Sequence, residues 1–411
     1  MANTISTTRK RRGYIAPVLL TFLIWTFVSA DAVQAQDWGF DPILRIAGTY
    51  DDNANLSIFT DQEVVLEGYL FEASAVIDYS SPLTTFSITP RILSRKYEDN
   101  PDLESDDQFL RSAFRHTMNS SSIGFRLNYD RQSVRTGERS DTDLDVEDPD
   151  EIAGDETGAT IRGRRTKLRF KPIWNYNFSS KSTISVDVDY REVDYEDVFL
   201  DLLKDFQDVR LNLSYRRALS NVNTAVITTT GRRFETVDGL SEFTGYAVQG
   251  GFRRSLSEKT ELRAMVGLET SERVDAEEDT NVIGNITLIR RLETIRMLAE
   301  YRRAVTGTGT GRLSIRNSLN LNFTRQLNDR IAVGLGARAY QSGELNDAVG
   351  ANDRDYVELH SRFIWYLSRP FSLQFNYRYT MLNRENLGER ANSNQVDIWF
   401  VYRPNRIPKL R

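Results

Sequence analysis

The stretch LSIRNSLNLNFTRQLNDRIAVGLGARAY, residues 313–340, reads as two strands and a turn. Leu313, Ile315, Leu319, Leu321 and Phe323 alternate with Ser314, Arg316, Ser318, Asn320, Asn322 and Thr324. Leu327-Asn328-Asp329-Arg330 makes a tight polar turn, and then Ile331, Val333, Leu335, Ala337 and Ala339 alternate with Ala332, Gly334, Gly336, Arg338 and Tyr340. Successive strand side chains point to opposite faces, so this is a hairpin with one apolar and one polar face. In a soluble sandwich the apolar faces would meet in a core. Here nearly every segment repeats the pattern, and the polar face keeps carrying arginine. That combination predicts an apolar face turned to lipid and a polar face turned to a wet lumen.

Outward from this hairpin the chain is punctuated by short polar turns. They fall at Ser80-Ser81-Pro82, Asn119-Ser120-Ser121, Ser179-Ser180-Lys181, Ser220-Asn221, Ser257-Glu258, Leu292-Glu293, Asn328-Asp329 and Ser368-Arg369. Between them lie longer polar connections near 51–62, 97–106, 137–159, 195–205, 235–241, 274–280, 306–311, 343–354 and 384–393. Nine long loops and eight short turns join 18 strands. Alternating long and short connections at opposite ends, with an even strand count, predict an all-β fold: a transmembrane antiparallel up-and-down β-barrel, both termini periplasmic. The period is that of a hairpin, not of a solenoid.

Individual strands carry the same reading. Ile123, Phe125, Leu127 and Tyr129 alternate with Gly124, Arg126, Asn128 and Asp130, and Ile184, Val186, Val188 and Tyr190 with Ser185, Asp187, Asp189 and Arg191. Tyr79, Trp174, Tyr176, Tyr215 and Trp365 sit near strand ends, where an interfacial girdle lies. The last strand, Gln395 to Tyr402, presents Val396, Ile398, Phe400 and Tyr402 on one face, with Arg403 to Arg411 following. A closing strand that ends in aromatics resembles the signal read by the barrel-assembly machinery.

Composition sets outer bounds. The 411 residues contain no cysteine, which removes disulfides and thiolate metal sites. Mean hydropathy is −0.47, and no window after residue 35 approaches the roughly 18 uncharged apolar residues of a membrane helix. A barrel needs only every second residue apolar, so low hydropathy does not count against it. The formal net charge of −5 gives no sign of nucleic-acid binding. Arg9, Lys10, Arg11 and Arg12, the apolar run Ile15 to Val28 and Val33-Gln34-Ala35 make residues 1–35 a cleavable signal peptide. The expected divisions are then a periplasmic lead-in at 36–42, the barrel at 43–402 and a periplasmic tail at 403–411.

The candidate site is the inner wall. Arg91, Arg111, Arg126, Lys167, Arg169, Arg210, Arg263, Arg316, Arg338, Arg362 and Arg378 all fall opposite the apolar stripe, together with Asp130, Asp187, Asp189, Glu261, Glu269, Glu300 and Glu358. Such a wall either contacts anionic or sugar-like solutes or pairs its charges across strands to brace a water-filled interior. The acidic run Asp141 to Glu156 has Asp-x-Asp spacing but no glycine at the sixth position of a calcium loop, and reads as a solvated external loop. His116 and His360 lie in strands without a serine motif or metal-ligand spacing, so no catalytic residue, metal or cofactor is assigned.

Gly48-Thr49-Tyr50-Asp51-Asp52-Asn53-Ala54 resembles the Tyr-Asp-x-Asn stretch at the first strand of outer-membrane β-barrel porins associated with exopolysaccharide synthesis and export. The arginine-rich strands and lack of cysteine fit the same group. The resemblance implies an outer-membrane exit for a secreted polysaccharide, set among lipid and lipopolysaccharide and working with a periplasmic polysaccharide-export protein. A general or anion-selective diffusion porin is the alternative, because 16–18 strands leave an aqueous channel. An outer-membrane hydrolase is a third, and it would bring His116 or His360 beside an acid and a serine.

Overall fold

The structure, a computed structural model, describes residues 37–57, 59–135, 163–196, 203–239, 241–273, 278–344, 354–384 and 389–404. The expected signal peptide, the acidic run Asp141 to Glu156 and the chain beyond Pro404 lie outside them. Eighteen strands follow one another: β1 (Asp37–Asp51), β2 (Leu66–Ser80), β3 (Thr84–Tyr97), β4 (Ser105–Thr117), β5 (Ser121–Ser133) and β6 (Arg164–Ser179). Next come β7 (Ser182–Glu196), β8 (Phe206–Ala218), β9 (Asn223–Thr236), β10 (Glu242–Ser257), β11 (Thr260–Arg273) and β12 (Asp279–Arg291). The chain ends with β13 (Ile295–Gly307), β14 (Leu313–Asn328), β15 (Ile331–Glu344), β16 (Arg354–Tyr366), β17 (Phe371–Arg384) and β18 (Glu389–Tyr402).

Each strand pairs antiparallel with its sequence neighbours, and β1 also pairs with β18. The sheet therefore closes into a transmembrane barrel in which the backbone ladder has no free edge at the join, as hydrocarbon demands. All eight short turns fall where the sequence places them. Several are finished by local side chains: the Arg330 N–H donates to Asn328 Oδ1 at 2.8 Å, beside a bulge that re-aims the strand. Strands of 13–16 residues exceed the roughly 9–11 needed to cross, so the wall stands proud of the membrane.

The outer face is apolar. Ile46, Leu211, Leu213, Val266, Leu268, Leu319, Leu321, Ile398 and Phe400 are exposed on it, with Trp38, Trp174, Tyr176 and Trp365 toward the short-turn end. Pro90 and Pro172 face outward within strands. Neither has an N–H to give, and pairing is interrupted beside each, between Ser74↔Arg91 and Ile77↔Ile88 and between Phe170↔Tyr190 and Ile173↔Asp187.

Two boundaries differ from expectation. β1 begins at Asp37, so residues 37–42 are strand and not a lead-in. Trp38 and Phe40 continue the outward alternation, and Trp38 packs on Tyr79 with ring centroids 5.0 Å apart. β18 begins at Glu389 rather than Gln395, paired to β17 from Arg384↔Glu389 onward. Apart from Ala391 its first residues are polar on both faces, so period two fades while the ladder continues.

The seam between β1 and β18 is tied by side chains from the Gly48–Ala54 stretch. Asp52 accepts from the Asn394 backbone N–H at 2.6 Å and from its amide at 2.7 Å. Ser393 Oγ donates to Asp51 Oδ1 at 2.7 Å, and Thr49 Oγ1 to Asp397 Oδ1 at 2.6 Å. Asn53 is buried and donates to the carbonyls of Ser57 and Asn392 at 2.9 and 3.0 Å. This holds Leu56, in the left-handed region at φ 46°, against Tyr340, Tyr356, Leu382 and Ala391 inside the mouth.

Candidate functional site

Period two puts the eleven predicted basic residues on the inner wall, where most meet an acid. Arg91 reaches Glu72 at 2.9 Å and stacks over Phe109, and Arg111 pairs with Asp130. Arg169 holds Asp189 through two bonds of 2.8 and 2.5 Å. Arg210 meets Asp208 at 3.2 Å, and Arg263 meets Glu261 at 2.5 Å. Arg362 donates to Asn376 at 3.3 Å, and Arg378 to Gln395 at 3.2 Å with Glu358 at 3.9 Å. Arg316 lies 4.3 Å over the Tyr340 ring, which stacks on Tyr356 at 4.8 Å, and Arg338 flanks both rings. Arg126 sits opposite Lys171 of β6, and Lys167 lines the lumen. The bracing alternative thus describes much of the wall: Glu72, Glu300, Glu358 and Asp107 are fully buried under arginines or hydroxyls.

Pairing cancels part of the charge: Asp41, Asp107 and Glu358 stand behind Arg403, Arg95 and Arg378 at one lumenal cavity, and Asp187, Asp208 and Glu261 behind Lys171, Arg210 and Arg263 at another. A lumenal cavity of about 310 Å³ between β1–β3 and β16–β18 is lined by seven Arg against three Asp or Glu. A second, of about 440 Å³ between β6 and β15, is lined by eleven Lys or Arg against three Asp or Glu. The chain as a whole is negative, so positive charge has been placed inside. Walls of low dielectric focus such a field on the space between them.

Part of the lumen is occupied by one hairpin tip, and this has a specific cause. β13 and β14 pair from Ile295↔Arg325 to Gly307↔Leu313, and β12 pairs with β11 out to Ser271↔Asp279. Between β12 and β13, however, pairing stops at Gly284↔Arg303. Beyond this fork the tip of the β13–β14 hairpin leans into the lumen. Arg232 of β9 donates to the Val305 carbonyl at 3.0 Å, and Arg210 of β8 to the same oxygen at 3.4 Å. The Lys204 N–H donates to the Gly309 carbonyl at 2.8 Å. Gly307 permits this approach, because a Cβ there would lie 2.4 Å from the Phe234 ring. Val305 and Leu313 complete an apolar cluster with Val193, Phe206, Phe234, Ala247 and Ile283.

This corrects the opening stretch of sequence. Leu319 and Leu321 do face lipid, but Leu313 is 2% exposed and Ile315 packs on the same inner cluster. They share the parity of Leu319 and Leu321, with Asn317 interrupting the apolar series between them; the hairpin bends, and the face meant for lipid comes to rest on protein. Arg232 was not singled out in the sequence because β9 alternates poorly around Ala225. Arg303 occupies a lipid-facing register position, and only the fork turns it to use: it donates to the Val282 carbonyl at 2.9 Å and to Asn317 Oδ1 at 3.0 Å.

The histidines take unrelated places. His116 Nδ1 lies 2.8 Å from Thr84 Oγ1, and His360 Nδ1 lies 3.6 Å from Glu358. Neither of these contacts is with a serine.

No family model and no curated protein matches this chain. Among solved structures, it is similar to a BenF-like porin from Pseudomonas fluorescens Pf-5, with 10% identity, a TM-score of 0.48 and coverage of 89% of this chain and 99% of that one. It is also similar to OpdO of Pseudomonas aeruginosa, with 11% identity, a TM-score of 0.45 and 90% and 98% of the two chains covered. The outer membrane channel DcaP of Acinetobacter baumannii aligns with 11% identity, a TM-score of 0.41 and 91% and 99% coverage.

Proposed function

We propose that this chain is a bacterial outer-membrane channel that passes small anionic solutes by diffusion. The excess of basic over acidic side chains around the cavity between β6 and β15, which outlasts its ion pairs, carries the reading. Guanidinium forks offer paired donors to carboxylates, and a conduit works best with many weak, wet contacts. Even-numbered single-chain barrels belong to the bacterial outer membrane, with short turns periplasmic and long loops outside. A cysteine at Asp238 should then react with an impermeant thiol reagent on intact cells, and one at Asp329 should not.

Purified protein in a planar bilayer under a potassium chloride gradient should give a reversal potential on the chloride side. A potential on the potassium side, or no current, rejects the proposal. The polysaccharide exit implied by the Gly48–Ala54 resemblance asks more of the lumen. A sugar chain would have to displace both Leu56 and the β13–β14 tip from the mouth. Gene deletion separates the two. Lost uptake of a small anion with normal surface polymer supports diffusion. Lost surface polymer with periplasmic accumulation supports export, with the eleven basic residues as polymer contacts and a periplasmic export protein as partner.

A further inference from the structure

We infer that the fork between β12 and β13 is a lateral portal for an amphipathic monocarboxylate, its head group held at Arg303 and its alkyl tail in the outer leaflet. Three observations converge there. First, the wall is open: Asp279–Ile283 of β12 keep their pairing to β11, and Ala304–Gly307 of β13 keep theirs to β14, but the two edges do not pair with each other. An unsatisfied edge in hydrocarbon is costly, so a fork needs its own acceptors and donors supplied. Here Arg303 takes the Val282 carbonyl on one edge, and Arg232 takes the Val305 carbonyl on the other. The gap is a built feature.

Second, the lumen reaches it. Gly284 and Arg303 hold lipid-facing register positions, opposite Val266 and in line with Tyr301, yet both line the 440 Å³ cavity that contains Arg232, Arg302 and Ala304. Gly284 puts no side chain across the opening. Third, the surroundings match an amphiphile. On the outer side Val282, Ile286 and Tyr301 are exposed, apolar or aromatic, and Tyr301 marks the level where the outward apolar run of β13 gives way to Arg303. On the inner side the cavity is basic.

Arg303 is suited to the head group in a way its neighbours are not. Arg169, Arg210, Arg232 and Arg263 each hold a carboxylate, whereas the partners of Arg303 are a carbonyl and an amide oxygen. A carboxylate makes a stronger, charge-assisted bond than either neutral acceptor and displaces them. The alkyl chain loses nothing on the way, since it stays among Val282, Ile286 and lipid until the head group has passed inside. This route goes beyond diffusion along the barrel axis and does not depend on it.

The test uses the full barrel in lipid nanodiscs with a photoreactive dodecanoate, and mass spectrometry to map the labelled residues. Label should concentrate on both sides of the fork, on Val282, Ile286 and Tyr301 outside and on Ile283, Arg302 or Ala304 inside. Excess dodecanoate should compete with it, and acetate should not. Arg303→Gln should reduce the labelling about tenfold and Arg303→Lys should keep most of it. An Ile283→Cys/Ala304→Cys pair, oxidised, should close the fork and abolish inner-side label; reduction should restore it. Label spread evenly around the apolar belt, or confined to the outer side, overturns the portal. Chloride current through the oxidised and reduced pair is measured in parallel. Its absence in both, with fork labelling intact, removes the diffusion channel and leaves the portal standing.

Discussion

Arg232 on β9 donates a 3.0 Å hydrogen bond to the backbone carbonyl of Val305 on β13, although three strands separate them in the sheet. The same guanidinium holds the buried carboxylate of Asp208 through bonds of 2.9 and 3.0 Å. Arg232→Leu therefore frees the hairpin tip and leaves Asp208 with less than its full set of partners. Breaking a buried pair this way costs about 3–5 kcal/mol. Urea titration followed by heat-modifiable gel migration should show that loss. Arg232→Lys keeps the charge without the planar fork and should recover only part of it.

Gly336 faces His360 across the β15–β16 ladder, and a Cβ on it would lie 2.0 Å from the ring nitrogen Nε2. Gly336→Ala should cost about 1–3 kcal/mol by overpacking the inner wall. His360→Ala in the same chain should remove most of that cost. The check is a double-mutant cycle in urea; additive losses would mean that the two residues do not share the space.

Leu313 and Leu321 lie on one strand with the same parity, yet one is buried in the lumenal cluster and the other meets lipid. Leu313→Ala should behave as a core deletion, costing about 2–5 kcal/mol. Leu321→Arg should cost roughly 2–4 kcal/mol if it sits near the bilayer midplane. Leu321→Ala should be nearly silent, because lipid fills the space. Folded fractions in liposomes compare the three directly.

Selectivity created by wall charge must yield to salt. The Debye length falls from about 10 Å at 0.1 M to about 3 Å at 1 M. The chloride-to-potassium permeability ratio should fall over that range in bilayer recordings. A ratio that holds constant would assign selectivity to size and not to the basic lining.

The barrel was readable because period two survives in most strands, β9 being an exception around Ala225, and because serine, asparagine and aspartate mark the turns. The alternation that sets eleven basic residues opposite the apolar stripe was readable for the same reason, whereas what those residues contact in passing was not. The fork was not. Val282, Gly284 and Ile286 on one strand and Tyr301 and Arg303 on the other keep their alternation through it. Periodicity reports which face a residue takes; it says nothing of how many residues two strands spend together. The bend at Val305 and Leu313 was hidden likewise, since an apolar side chain suits lipid and a protein cluster equally. The reach of Arg232 to a backbone carbonyl four strands along has no local signature at all.

The seam at Asp52 and Asn394 also bears on how the barrel is put together. Every other neighbouring pair is delivered by the connection that joins it, whereas these two residues are 342 positions apart. Bringing such ends together costs about 4 kcal/mol more in chain entropy than closing a four-residue turn, so this join forms last. It is also the join that no turn can align. A slip of one residue would carry Val396, Ile398 and Phe400 from lipid into the lumen. Asp51, Asp52 and Thr49 meet Ser393, Asn394 and Asp397 in one alignment only. The stretch then works as a key cut for a single register, checked by the arriving strand at the moment the cylinder shuts.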